Sequence, residues 1–208
     1  MTKQKKKVSR DIVIKDIEID FAQGLYETFT GKNKKDIYSA TFLFDQKTEK
    51  GAEIWRIING EIQNILTEVF GPSKNNWKDF GVVYFTKNGN SAVAAEEKPE
   101  SYRGQVFFCA TSPETHPPQI RCKSGGEVAT LPLSTPIKSG DKVHAALTLI
   151  YSNHGVKRIS AHVNAVMLKT RGAGSSGGVS VNTKELFGGL DADEEKITPK
   201  IEGGIFEG

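Results

Sequence analysis

Between Lys142 and Tyr151 the apolar side chains fall on every second residue, at Val143, Ala145, Leu147 and Leu149. The same alternation runs through Ile159, Ala161, Val163, Ala165 and Met167 in the segment from Lys157 to Lys169. Successive side chains of an extended chain point to opposite faces, so each segment reads as a strand with one face on a core. Asn153-His154-Gly155 supply the turn of the hairpin that joins them. The polar faces carry His144 and Thr148, then Arg158, Ser160, His162 and Asn164, which are hydrogen-bonding or cationic and include no carboxylate.

Earlier in the chain, Tyr38, Ala40, Phe42 and Phe44 alternate with their neighbours from Lys35 to Phe44 and predict another strand. From Glu53 the period changes. Ile54, Ile57, Ile58, Ile62, Ile65, Leu66, Val69 and Phe70 recur at three- and four-residue spacing up to Gly71-Pro72, which predicts an amphipathic helix of about 17 residues. Shorter strands are expected over Val82 to Lys87, Gln105 to Thr111 and Gln119 to Lys123. A parallel α/β sheet needs a helix between most strand pairs, and the sequence offers one helix among five or six strands, so a small closed or nearly closed barrel is expected. Residues 1–34 read as a basic arm with at most one short strand, 35–171 as the barrel domain, 172–184 as a glycine/serine-rich linker and 185–208 as an acidic tail too polar to order itself.

Charge is divided along the chain. The last 24 residues hold seven acids and two lysines, net −5, so the first 184 carry 26 basic and 18 acidic groups, net +8. A basic body followed by an acidic tail points to a polyanion-binding surface with an internal competitor. No apolar run is long enough to span a membrane, and the lysine-rich start has no apolar stretch behind it, so neither a membrane span nor a secretory signal is expected. Two cysteines, Cys109 and Cys122, fit buried free thiols in a reducing cytoplasm.

Catalytic readings fare poorly. Gly172, Gly174 and Gly177 match the dinucleotide-binding spacing and Gly174, Ser176 and Gly178 the serine-hydrolase elbow, but too little polar chain follows for the sheet and helix that either requires. Nuclease or polymerase chemistry needs core carboxylates that converge on metal ions, and the two longest strands have none. Cys109, His116 and Cys122 lack zinc-ligand spacing. Neither a metal nor a cofactor is expected.

The positive signal is aromatic rings beside cations: Tyr151 with Lys157 and Arg158 at the last hairpin, Trp77 with Lys74 and Lys78 after the helix, Tyr102 with Arg103 ahead of a strand, and Lys87 at a strand end. Bases stacked on rings, with cations on the phosphates, are how single strands are bound without sequence preference. Trp55, Phe42, Phe44, Phe107 and Phe108 read as core.

Phe42-Leu43-Phe44 with Lys47, the helix closing on Phe70-Gly71-Pro72, Trp77-Lys78, Tyr102-Arg103-Gly104 ahead of Phe107, Ser139-Gly140-Asp141 opening the strand to Tyr151, and Asn164-Ala165-Val166 follow one another in an order. In that order the chain resembles the OB-fold single-stranded-DNA-binding proteins of tailed bacteriophages. The resemblance implies a mainly β protein: a five-stranded, closed or partly open barrel with one amphipathic helix, usually placed between the third and fourth strands, and a disordered acidic C-terminal tail. It implies a non-catalytic protein that coats single-stranded DNA in phage replication, recombination or repair, in the cytoplasm of the infected host. Trp77, Tyr102 and Tyr151 are then expected to stack bases, and Lys47, Lys78, Lys87, Arg103, Lys157 and Arg158 to hold phosphates. The tail, through Asp191, Asp193, Glu194, Glu195 and Phe206, is expected to contact replication or recombination proteins. A homodimer stays open. The alternatives are an RNA-binding OB module and a basic structural or assembly protein that binds an acidic partner.

Overall fold

The computed structural model describes residues 7–31, 34–72 and 81–172. The chain divides into two units, Met1–Ser176 and Gly177–Gly208. Apart from Gly172, the expected linker and tail lie outside the described residues.

Five strands close a barrel. β1 (Val8–Asp20), β3 (Asp36–Phe44) and β5 (Val106–Pro113) pair antiparallel in that order, and β8 (Lys142–Ser152) and β9 (Arg158–Thr170) form the long hairpin. β8 returns antiparallel to β1, while β5 meets β9 in parallel through Ala110 and Ala161, which closes the ring. Of the smaller strands, β2 (Phe29–Thr30) extends β3, β4 (Thr86–Asn88) extends β5, and the hairpin of β6 (Gln119–Ser124) and β7 (Glu127–Thr130) adds to the far end of β9.

β1 corrects the reading of residues 1–34 as an arm. It is a 13-residue barrel strand whose Ile12, Ile14, Ile17 and Ile19 are buried. The inward parity changes between Ile14 and Ile17, where the register shifts and Asp16 adopts φ 61°. Such a bulge breaks the period-2 pattern that identifies a strand from sequence.

Along β8 the alternation holds throughout, with Val143, Ala145, Leu147 and Leu149 wholly buried. On β9 it holds for Ile159, Ala161 and Val163. There Ala146 pairs with Ala165 but Leu147 with Val163, so Asn164 is an extra residue and Val166, not Ala165 or Met167, returns to the core.

The amphipathic helix, α1 (Glu49–Phe70), follows the second barrel strand and not the third. It packs Ile54, Ile58, Ile62, Ile65 and Leu66 into the core. It starts four residues before the expected Glu53 because the Thr48 side chain caps it by accepting the Gly51 N–H. Gly51 has no substitute: a Cβ there would lie 1.8 Å from the Asp45 carbonyl oxygen. Between β4 and β5 the chain forms a short helix, α2 (Gly89–Ala94), and a 3-10 turn at Glu100–Tyr102. These cover the outer face of the β3–β5 pair and make a second apolar cluster of Leu43, Ala92, Tyr102 and Phe107. The core readings of Phe42, Phe44, Phe107 and Phe108 hold, and Trp55 packs partly buried against the main core. The cysteines are free but not buried: Cys109 is exposed beside Ser39, and Cys122 is half-buried on β6.

Candidate nucleic-acid interface

The barrel brings Lys157, Arg158, Phe70 and Val83 together at the turn between β8 and β9. Lys157 places its Nζ 5.4 Å from the centre of the Phe70 ring, at the end of α1, and Phe70 meets Tyr151 edge-on at 5.8 Å. Val83 donates its N–H to the Lys157 carbonyl and accepts the N–H of Ile159, each at 2.9 Å, which forms a parallel bridge with Arg158. Lys157 and Arg158 are both exposed. Trp77 and Lys78 lie outside the described residues.

Tyr151 does not offer a stacking face. It is 1% exposed, because it continues the inward parity of Val143, Ala145, Leu147 and Leu149 by one more step. Tyr102 is likewise in the wrong place, at 2% exposure. Its ring packs edge-on against Phe107 at 5.0 Å, with the Lys98 ammonium 4.8 Å from its centre, and its hydroxyl donates to the Asp20 carboxylate. Burial and the neighbouring carboxylate push the Tyr102 phenol well above its usual range, so it stays protonated.

The remaining cations are spread around the barrel. Lys47 is exposed in the turn between β3 and α1, and Lys87 is exposed on β4 opposite Phe107. Arg103 forks onto both carboxylate oxygens of Glu100, so part of its charge is already answered.

The outer face of the hairpin is less positive than β8 and β9 alone suggest, since β1 lies beside it. Asp11 accepts from Thr148, which accepts in turn from Asn164; Asp16 pairs with Lys169 and Glu18 with Lys142 at 2.9 Å. Asp20, the last residue of β1, accepts from the Tyr102 hydroxyl. Burial works to raise its pKa, and Tyr102, the Phe21 N–H, Ser139 and the Lys98 charge together outweigh it and hold the carboxyl below its usual value. Burial lowers His144 and His162; the Nδ1 of His144 accepts the Asp16 N–H at 3.1 Å, which requires that nitrogen unprotonated.

Sequence reasoning missed an aromatic pair in the connection between β1 and β3. Phe21 and Phe29 are 48% and 39% exposed and meet edge-to-face, 5.8 Å between ring centres. Lys34 and Lys35, both exposed, follow them. The visible signal was aromatic residues beside turn glycines and lysines, the same signal used elsewhere.

Among the described residues no helix is long and apolar enough to cross a membrane, and no group of three or more His, Cys, Asp or Glu residues could hold a metal.

A five-stranded barrel with one parallel closure, two long strands in a hairpin and exposed cations at the connecting turns defines an OB-fold protein. Solved structures agree. The single-stranded DNA-binding protein of bacteriophage Enc34, in complex with ssDNA, superposes with a TM-score of 0.59 at 19% identity, over 79% of this chain and 89% of that one. The same phage protein with its C-terminus truncated gives 0.55 at 19% identity over 77% and 86%, and in a further structure 0.54 at 18% over 85% and 89%. No protein-family model matches the chain, and no curated protein matches it at a significant level.

Proposed function

We propose that the chain is a non-catalytic single-stranded-DNA-binding protein that coats exposed strands during phage DNA replication, recombination or repair. The observation that carries this is the shared barrel: it spans most of both chains in the match to a phage protein solved with ssDNA bound. Net charge of +8 over the first 184 residues supplies the attraction to phosphates. Lys157 and Arg158 at the β8–β9 turn hold the backbone, joined by Lys47 and Lys87. Trp77 and Lys78 are a further ring and charge for the strand, carried over from the sequence pattern alone. Tyr102 and Tyr151 have no part in stacking, since both rings are in the core. The acidic segment with Asp191, Asp193, Glu194, Glu195 and Phe206 contacts replication or recombination proteins in the host cytoplasm.

The test is a fluorescence-anisotropy titration with a single-stranded DNA oligonucleotide, its duplex and the RNA of the same sequence, at several salt concentrations. If about five phosphates are neutralised, log affinity for the single strand falls against log salt with a slope of about −3.5. Preference for duplex or a slope near zero refutes the reading, and preference for the RNA strand replaces it with an RNA-binding OB module.

A further inference from the structure

We propose that Phe21 and Phe29 form a base-stacking platform for a single strand, an inference that rests on the single-strand reading above and names a binding element within it. Phe21 sits at φ 51°, ψ 44°, a left-handed conformation that a bulky L residue seldom adopts. Nothing in apolar burial explains this, since the residue is 48% exposed. The turn is closed by the Phe21 carbonyl, which accepts the N–H of Gly24 at 3.4 Å.

Gly24 completes the seat. A Cβ there would stand 2.3 Å from the Ser39 carbonyl oxygen and 3.0 Å from the Phe21 ring, so only glycine lets the turn close against β3 with the ring above it. Phe29 is fixed independently, on β2 opposite Ile37 of β3. Two separate elements thus bring two exposed rings into edge-to-face contact at 81°. In that arrangement the ring that presents its edge keeps both faces clear of its partner, and the other ring keeps its outer face.

The connection carries cations as well as rings. Glu27 accepts from Gln23 at 2.8 Å and Asp36 from Thr30 at 2.9 Å, bonds to neutral donors that orient both carboxylates without cancelling their charge. Lys34 and Lys35 are exposed and form no ion pair among the described residues. Exposed rings followed in the chain by exposed lysines suit a stacked base with its phosphate, and a duplex hides the base faces that would stack.

The test uses the full-length chain with two fluorescein-labelled DNA strands of equal length, oligothymidine and its abasic counterpart. Wild-type protein that binds neither strand refutes the single-strand reading itself. With binding present, Phe21→Asn combined with Phe29→Ser should weaken oligothymidine binding roughly five- to a hundredfold, with abasic-strand affinity and the salt slope as in wild type. Asparagine accepts the left-handed conformation, so Phe21→Asn alone keeps the turn and serves if the double variant does not fold; it should lose roughly fivefold or more on oligothymidine. Phe21→Trp should retain affinity and add fluorescence that oligothymidine quenches. Wild-type affinity in the asparagine variant, or equal losses on both strands, overturns the platform while leaving single-strand binding intact.

Discussion

The hydroxyl of Tyr102 donates a hydrogen bond to the carboxylate of Asp20 and so ties the cover of the β3–β5 face to the end of β1. A hydrogen bond to a charged group contributes about 1.5–3 kcal/mol. Tyr102→Phe should lower stability by about that much in urea melts, with single-strand affinity unchanged in the folded protein. The sign with pH follows from Asp20, whose folded pKa lies below 3.8: its contribution is present above that value and lost as pH falls through the folded pKa. Removal of the donor raises the folded pKa, so the variant should lose less stability than wild type on acidification.

Tyr151 should behave as a core residue. Tyr151→Ala should cost roughly 3–5 kcal/mol, the range for deletion of a buried aromatic ring, read as a lower melting temperature. Tyr151→Phe should melt close to wild type and bind oligothymidine equally well. Weakened binding in Tyr151→Phe at unchanged stability would put the ring at the interface after all.

His144 and His162 should make the protein acid-sensitive well above the carboxylate range. Burial holds both below the ordinary value of 6.5, assisted at His144 by Lys169 and at His162 by Lys7. The unfolded chain then binds more protons as pH drops below about 6.5, and stability falls until the lower folded pKa is passed. Urea midpoints taken across that window should decline in wild type and decline less in His162→Gln.

The carboxylate of Glu100 should set Arg103 apart from the cations of the β8–β9 turn. Lys157→Ala and Arg158→Ala should each flatten the salt slope for a single strand by about 0.7. Arg103→Ala should flatten it by less, because Glu100 already forks onto that guanidinium. An equal effect of all three in salt-dependent titrations would mean that the Glu100 pair opens when DNA arrives.

The acidic end should compete with DNA. Deletion of residues 185–208 removes a net −5, so binding should tighten at low salt, and the gain should shrink as salt screens both polyanions. Titrations of the truncated and full chains at low and high salt check this, and unchanged low-salt affinity refutes it.

What could be read without the structure was what backbone geometry repeats locally. β8, the first half of β9, β3 and α1 each advertise their period in consecutive residues, because a strand or helix turns every side chain by a fixed angle relative to the last. Even the burial of Tyr151 was legible there, one step beyond Leu149 in the same parity. The tertiary structure decided what no local period encodes. β1 hides its strand character in a bulge at Asp16 that only pairing to β8 holds in place. The carboxylates of β1 met the polar face of the hairpin only once the barrel closed. Phe21 sits in its left-handed turn where its carbonyl accepts from Gly24 and Gly24 closes against the Ser39 carbonyl of a different strand. Exposure and strain depend on neighbours distant in sequence, and those neighbours exist only after the sheet has closed.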